Sequence, residues 1–435
     1  MSESVLAWLV IVVEGPDALT ELCGVSLLER MRRSARQIGF GEATVLSNCV
    51  EVVRKHLGRQ SWRRTDLSLE YRQVQSAAVT VKDVLTCRSH ITYRPDTRVL
   101  IWFANFCCDP RLLRDLVKAA RDTALLDLDP PQMVAPLWQN AAASRVCAAV
   151  VSPEWLSTSD SAADLHATLD LAASNGRLAL LDAAQQDGYL SSMRRAVRPL
   201  VFPAPSPTLR PLAERLLLDE TQKGVLDFPA LVHAPIEKWL VSHLCRTTVT
   251  PNQITLLVAL LGLAVTFFYS SGYLWVGTLL ALAIGILDGV DGKLARLKIQ
   301  TTKVGRIEHT LDLFIEMSWW AALAYYFHST GQLPYAYAVL TSFYLFYFLA
   351  RLARGFIQRR IGRSLDDFAP FDRLVRYVAG RRNIYAWLFT LSLLMGAPAT
   401  GFVLLCSWGI VSAMIHIYRS VQIAISREQA TGPAS

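Results

Sequence analysis

Residues 279–296 read LLALAIGILDGVDGKLAR, a long apolar run that ends in Asp288, Asp291, Lys293 and Arg296. A helix needs about 20 largely apolar residues to cross a bilayer, so the run predicts a membrane span. Ionisable groups at the end of a span are costly unless they face a wet cavity and have partners. The stretch therefore predicts a helical membrane domain with its chemistry at one end of a span.

The chain divides into two halves of different composition. Its 435 residues are 52% hydrophobic and only 18% charged, which is unusual for a water-soluble protein. Nearly every long uncharged run follows residue 250, whereas residues 1–245 resemble an ordinary globular domain. The net charge of +8 is concentrated beside the apolar runs, where topology and lipid headgroups require it, so we expect no nucleic-acid binding.

Six apolar segments are predicted to span the membrane. They lie near 254–272, 273–296, 304–328, 334–356, 383–397 and 400–424. Alternate connections lack Lys and Arg, whereas residues 351–382 hold nine arginines against three aspartates. Because positively charged loops stay in the cytoplasm, we expect an inner (cytoplasmic) membrane protein with both termini in the cytoplasm.

The first half predicts a cytoplasmic α/β domain with a Rossmann-like arrangement. Apolar runs typical of buried strands alternate with helical patterns, and this alternation favours a parallel sheet. The strands are expected at 8–13, 43–46 and 99–103, and the helices at 26–38, 110–122 and 161–174.

A further helix is predicted just before the first span. It is expected to start at Pro235 and to lie in the membrane interface, with Trp239 as its anchor. A soluble linker helix is the alternative.

Four acids are predicted to form one site, and they are Asp288, Asp291, Glu308 and Asp312. The members of each pair are three or four residues apart, so each pair lies on one helix face. A hairpin through residues 297–303 would bring the two faces together. Four carboxylates beside one or two basic groups cannot all stay ionised without cations, and their hard oxygens suit Mg²⁺ or Mn²⁺.

This segment resembles the signature of CDP-alcohol phosphatidyltransferases, which reads D-x-x-D-G-x-x-A-R followed by G-x-x-x-D-x-x-x-D. The matching positions are Asp288, Asp291, Gly292, Ala295, Arg296 and Gly305. The last two acids match only after a shift of one residue, to Glu308 and Asp312. His309 in place of Glu308 is the alternative.

The resemblance implies a transferase that moves a phospho-alcohol unit from a CDP-linked donor to a hydroxyl acceptor and releases CMP. It implies two ions of Mg²⁺ or Mn²⁺ held by Asp288, Asp291, Glu308 and Asp312, with Asp312 also taking the proton of the acceptor. CDP binding would fall to Asp288, Gly292, Ala295, Arg296 and Gly305. Related bundles suggest a homodimer in the lipid bilayer, and either the donor or the acceptor can be the lipid.

The acceptor is expected to bind beside the arginine-rich loop. The candidate residues are Arg306, Arg351 and Arg354. A purely topological role, with contacts to lipid headgroups, is an equal alternative for these arginines.

The opening of the chain resembles sugar-phosphate nucleotidyltransferases, in the segments 10–16 and 22–30. Their glycine-rich loop carries a basic residue, which Glu14-Gly15-Pro16-Asp17-Ala18 lacks, and Val25 stands at their lysine position. A triphosphate needs cationic donors, so we expect this domain to be inactive. The domain order is similar to that of bifunctional enzymes that make CDP-inositol and join it to inositol phosphate, which suggests a polyol phosphate substrate.

The expected domains follow from these patterns. They are a nucleotidyltransferase-like domain at 1–205, a linker at 206–228, an interfacial helix at 229–248, the six-helix membrane domain at 249–426 and a tail at 427–435. The rival hypothesis is a non-catalytic membrane scaffold or lipid-binding protein derived from the same family.

Overall fold

The computed structural model describes residues 7–59, 67–88, 97–139, 145–186, 188–300, 305–362 and 364–431. For residues 59, 88, 305–310 and 427–431 it describes the backbone alone. The first half forms an α/β domain around a seven-stranded sheet, and the second half is helical.

The elements of the α/β domain lie close to the predicted segments. The strands are β1 Ala7–Val13, β2 Glu21–Leu22, β3 Val25–Ser26, β4 Glu42–Ser47, β5 Ser68–Gln73, β6 Arg98–Phe103, β7 Phe106–Cys108, β8 Thr123–Leu126, β9 Ala148–Val151, β10 Ala179–Asp182, β11 Gly188–Leu190, β12 Arg195–Val197 and β13 Val201–Pro203. The helices are α1 Leu27–Ile38, α2 Val50–Arg59, α3 Val81–Arg88, α4 Pro110–Lys118, α5 Ala135–Trp138, α6 Pro153–Thr158 and α7 Leu165–Ser174.

The main sheet has the strand order β10-β8-β9-β6-β1-β4-β5. Strands β1, β4, β5 and β6 pair in parallel, as do β8 and β10. Strand β9 runs antiparallel to β6 and β8, which differs from the all-parallel expectation. Its sequence is apolar throughout, and such a run indicates burial without indicating strand direction.

Helix α1 is buried on more than its apolar face. Ser26 begins it by accepting a hydrogen bond from the amide of Glu29 at 3.2 Å. Glu29, Arg30 and Arg33 are nevertheless buried along with the apolar side chains. Charged side chains are seldom buried without partners, so this helix must pack against polar groups outside the sheet.

The second half consists of nine helices within the described residues. They are α8 Arg210–Glu220, α9 Phe228–Leu244, α10 Pro251–Ser270, α11 Leu274–Leu297, α12 Gly305–Ser329, α13 Ala336–Ile361, α14 Pro370–Val378, α15 Arg382–Leu394 and α16 Pro398–Thr431. Helix α8 lies inside the segment 206–228 that was predicted as a linker.

Helices occur at all six predicted spans. Within the described part of the chain, only four of them are long and apolar enough to cross a membrane. These four are Pro251–Ser270, Leu274–Leu297, Ala336–Ile361 and Pro398–Ser426. Helix α15 has 13 residues, or about 20 Å of helix, which is shorter than the roughly 30 Å apolar core of a bilayer.

The helix before the first span begins close to the expected segment 229–248 but earlier than Pro235. It begins at Phe228, where the Asp227 carboxylate accepts from the amide of Ala230 at 3.1 Å, and Pro235 lies in its interior. The prediction of a start at Pro235 was therefore wrong, because the Asp227 cap with Pro229 in the first turn is the stronger start signal. Apolar side chains remain exposed along one face, at Phe228, Leu231, Val232, Ile236 and Trp239. Such a face is typical of an interfacial helix.

Candidate active site

The predicted motif lies on the last three turns of α11. Asp288 is 37% exposed, whereas Asp291 is only 6% exposed. The two aspartates have different partners. Asp288 accepts from Nη2 of Arg382 at 2.7 Å, and Asp291 accepts from the hydroxyl of Thr255 at 2.9 Å.

Thr255 is positioned by the entry into α10. Thr250 and Gln253 form a reciprocal capping box, and Pro251 occupies the first turn. This cap fixes the start of the helix, so that Thr255, one turn later, reaches Asp291 on the neighbouring helix. The segment 250–255 therefore supports the motif directly.

Helix α9 packs on the motif helix through a buried ion pair. Nζ of Lys293 lies 2.8 Å from Oε2 of Glu237, and the two side chains are 5% and 9% exposed. Gly289 lies against the same carboxylate, where a Cβ atom would overlap it. Since the close approach depends on the missing side chain, the glycine of the first Asp-Gly pair positions α9.

A cavity of about 360 Å³ opens beside Asp288. Both ends of the predicted motif contribute to it, because Asp288 of α11 and Asp312 of α12 line it together. The acidic and basic side chains around it are Asp227, Asp288, Asp312, Glu316, Arg354, Arg376, Arg381, Arg382 and His416. Acids and arginines thus share one cavity, with the carboxylates and guanidinium groups in separate parts of the chain.

Asp366 binds two of the arginines that line this cavity. It accepts from Arg381 at 2.7 Å and from Arg376 at 3.1 Å, and Arg194 of the α/β domain lies 3.9 Å away. Burial alone would raise the pKa of Asp366, but the guanidinium groups of Arg381 and Arg354 lower it to about 2. The carboxylate therefore stays ionised and holds the arginines together.

The structure brings together only part of the predicted site. Asp288, Asp312 and Arg354 line the cavity, whereas Asp291, Gly292, Ala295, Arg296 and Arg351 are not among its lining residues. Arg296 donates instead to the carbonyl of Thr221 at 3.0 Å. The side chains of Arg306, Glu308 and His309 lie outside the described residues, and Gly305 is the first residue of α12.

The donor atoms present are compatible with a hard divalent ion. Asp288 and Asp312 offer carboxylate oxygens in one cavity, which is the ligand type preferred by Mg²⁺ and Mn²⁺. Among the side chains that the structure describes, no three of His, Cys, Asp or Glu converge closely enough to hold an ion. Glu308, the predicted third ligand, is not one of those side chains.

Several cavity residues were not predicted from the sequence. Asp227, Arg376 and His416 come from the start of α9, from α14 and from α16. Each belongs to an element far from the motif in sequence and carries no local pattern of its own. The density of arginines in residues 351–382 was the only available signal, and it did not single out Arg376.

Acidic side chains surround residues 14–18, the loop that resembles a nucleotide-binding loop. Asp17 and Glu21 line a cavity of about 730 Å³, with Arg210 as its only basic lining residue among those described. Glu14 accepts from the amide of Val79 at 2.8 Å, and burial raises its pKa. These acidic groups are poorly suited to a triphosphate.

Residues 248–415 match the family model described as CDP-alcohol phosphatidyltransferase. The helical half of the chain thus contains a segment that matches the CDP-alcohol phosphatidyltransferase family. The four apolar spans and this match indicate an integral membrane protein.

Two relatives share the name "Bifunctional IPC transferase and DIPP synthase". The protein from Aquifex aeolicus is 27% identical over 173 residues, which are 39% of this chain and 38% of the relative. The protein from Thermococcus kodakarensis is 40% identical over 117 residues, 26% of either chain. Each match thus spans well under half the length of the relative.

Among solved structures, this chain is similar to the inositol-1-phosphate CTP transferase from T. maritima. The aligned part covers 48% of this chain and 96% of that structure, with 9% identity and a TM-score of 0.32.

Proposed function

We propose that this protein is a metal-dependent CDP-alcohol phosphotransferase. It moves a phosphatidyl or polyol-phosphate group from a CDP-linked donor to a hydroxyl acceptor, with release of CMP. The observation that carries the proposal is the cavity shared by Asp288 and Asp312, one from each half of the motif. Two acids that are distant in sequence are brought to one cavity beside a cluster of arginines, as this chemistry requires.

Two ions of Mg²⁺ or Mn²⁺ would be held by Asp288, Asp291, Glu308 and Asp312. When bound, such ions screen the diphosphate of the donor and stabilise CMP as the leaving group. Asp291 is held towards α10 by Thr255, which fixes its rotamer before any ligand binds. Asp288 shares its charge with Arg382, so an ion competes with this arginine for the carboxylate.

Asp312 is the proposed general base. It lines the cavity on the side of α12, next to the arginines that would hold a phosphorylated acceptor. A carboxylate within hydrogen-bond reach of the acceptor hydroxyl can take its proton as the new bond to phosphorus forms.

The CDP moiety is proposed to lie along Asp288, Gly292, Ala295, Arg296 and Gly305. A Cβ atom at Gly292 would meet nothing closer than the Arg296 guanidinium, at 3.5 Å. The backbone there is open to a ligand. Arg296 uses Nε for the carbonyl of Thr221, which orients its two terminal nitrogens along the same face.

The acceptor is proposed to carry a phosphate that binds the arginine cluster. Among the described residues, Nε of Arg354 is buried with no hydrogen-bond partner, although the side chain lines the cavity. A phosphate oxygen would supply this partner in a favourable charge-assisted bond. Arg306 and Arg351 remain candidates for binding the acceptor. A polyol phosphate such as inositol phosphate is the preferred acceptor class.

The remaining proposals concern the assembly in the membrane. Helices α10 to α13, α15 and α16 would form six spans with both termini in the cytoplasm, in a homodimer. The positive loop around residues 351–382 supports this orientation.

The test is CMP release by the purified protein in lipid nanodiscs, with CDP-diacylglycerol or CDP-inositol as donor and inositol phosphate as acceptor. We expect release that requires Mg²⁺ or Mn²⁺ and is lost in Asp291→Asn and Asp312→Asn. Asp219→Asn, which changes a half-exposed acid of α8, should retain it. A non-catalytic scaffold would release no CMP with either donor, and release without metal would contradict the proposal.

A further inference from the structure

The end of the motif helix α11 is completed by the α/β domain. A helix leaves its last carbonyls without partners inside the helix. The amides of Lys298, Ile299 and Gln300 satisfy the carbonyls of residues 294, 296 and 295, in the pattern of a Schellman cap. This pattern leaves the carbonyls of Leu297 and Lys298 open.

Two arginines of α1 fill these two positions. Nη1 of Arg30 donates to the carbonyl of Leu297 at 2.9 Å, and Nη1 of Arg33 donates to the carbonyl of Lys298 at 2.5 Å. Both arginines are 6% exposed. Cations at a helix C-terminus also interact favourably with the helix dipole, so the arrangement suits both the hydrogen bonds and the charge.

The arginines are themselves held in place within the α/β domain. Arg30 donates through Nη2 to the carbonyl of Leu22 at 2.8 Å, and Arg33 donates through Nε to Glu29 at 2.8 Å. Burial lowers the pKa of Arg33 to about 10, while Glu29 opposes this shift. The guanidinium thus stays charged at neutral pH and connects two domains rather than moving freely.

The same helix end is fixed on its other sides. Nζ of Lys298 donates to the carbonyls of Thr247 and Val249, at 2.9 and 2.8 Å, just before α10. A further hydrogen bond joins the two halves of the chain at Cys23, whose amide donates to Glu214 of α8 at 2.9 Å. Arg296 is therefore one residue away from a helix end whose position depends on α1.

We propose that the α/β domain works as part of the transferase, because Arg30 and Arg33 hold the end of the helix that carries Asp288, Asp291 and Arg296. This inference rests on the proposed function for its effect on catalysis. The two arginines are positioning residues that touch neither donor nor acceptor. The α/β domain then contributes the geometry that it gives to the neighbouring site.

The test compares Arg30→Met/Arg33→Met with Arg36→Met, which changes an exposed arginine of the same helix. We expect the double variant to lose about tenfold or more in kcat per folded molecule, since small displacements of catalytic groups cost this much. The Mg²⁺ concentration for half-maximal activity should also rise. Arg36→Met should match the wild type, and Arg30→Lys/Arg33→Lys should fall between, because lysine keeps the charge but not the guanidinium fork.

Amide hydrogen exchange gives a readout that does not depend on activity. We expect faster exchange across residues 288–300 in the double methionine variant and unchanged exchange in strands β1 and β6. Unchanged exchange at 288–300, or a loss of activity fully explained by a smaller folded fraction, would overturn the inference. If the wild type releases no CMP while exchange responds as expected, the proposed function fails and the contact between the domains stands.

Discussion

Arg382 of α15 neutralises Asp288 of α11, with 2.7 Å between Nη2 and Oδ2. The first aspartate of the motif is therefore paired with a distant arginine rather than with Arg296 of its own helix. Arg382 also interacts electrostatically with Glu316 and Asp312. One guanidinium thus interacts with three acids of the cavity.

Arg382→Gln should tighten metal binding, because it removes the cation that competes for Asp288. The two side chains are 15% and 37% exposed, and ion pairs near the surface are worth up to about 1 kcal/mol. The Mg²⁺ concentration that gives half-maximal CMP release should therefore fall by about two- to fivefold. Arg359→Gln, which changes an exposed arginine outside the cavity, should leave it unchanged. A rise with Arg382→Gln would mean that the arginine assists ion binding.

Lys293→Met should destabilise the protein strongly, because it leaves Glu237 buried without its cation. Removal of one partner from a buried pair costs about 3–5 kcal/mol, and both side chains here are less than a tenth exposed. The midpoint of thermal unfolding in nanodiscs measures the effect.

The control for this prediction is an exposed ion pair between α8 and α9. Lys238 binds Asp219, and both side chains are more than 40% exposed. Lys238→Met should cost at most about 0.5 kcal/mol. Glu237→Met/Lys293→Met should recover most of the stability that Lys293→Met loses. Equal losses for Lys293→Met and Lys238→Met would show that burial of the pair is not what matters.

The sequence predicted the elements with strong local patterns. Apolar runs located β1, β4, β6 and six of the nine α-helices of the second half, because burial of continuous apolar surface leaves a signal in every residue. The motif spacing placed Asp288 and Asp312 at one site, and the structure brings them to one cavity. The apolar runs are local patterns, whereas Asp288 and Asp312 lie on successive helices of the chain.

The failures involve contacts between distant segments. The segment 206–228 was predicted as a linker, although it contains α8, with Pro211 in its first turn. The direction of β9 and the pairing of Arg30 with the end of α11 are decided by packing between elements. A buried arginine on an amphipathic helix reads in sequence like an exposed one, so only the fold reveals its partner.

Gly289→Ala and Gly292→Ala should have different effects although they lie one turn apart. A methyl group at Gly289 would overlap the buried Glu237 carboxylate, whereas one at Gly292 would meet only the flexible Arg296 side chain at 3.5 Å. Gly289→Ala should lower the unfolding midpoint. Gly292→Ala should keep the midpoint and raise KM for the CDP-linked donor, since it narrows the proposed donor site. A loss of stability in both variants would contradict this division.

Asp366→Asn should lower the stability of the folded protein at neutral pH, and this loss should disappear in acid. Burial opposes ionisation of Asp366, but Arg381 and Arg354 lower its pKa from 3.8 to about 2. An acid with a lowered pKa in the folded state contributes stability above its unfolded pKa and loses it as the pH falls through the folded value. The gap in unfolding midpoint between wild type and variant should thus be constant above about pH 4 and close towards pH 2. A gap that persists unchanged at the acid end would refute the assignment.

Ile299→Gly should stabilise the protein, because Ile299 closes α11 with φ at +52°. A left-handed conformation costs a residue with a side chain about 1–2 kcal/mol, which glycine avoids, although glycine also loses more chain entropy on folding. The net gain should be about 0.5–1 kcal/mol, or a rise of a few degrees in the unfolding midpoint. Gln300→Gly, at the next position, gains no such relief and should lower the midpoint. Because Arg30 and Arg33 bind the two carbonyls just before Ile299, the gain should shrink in the Arg30→Met/Arg33→Met background if those contacts hold the strained geometry in place.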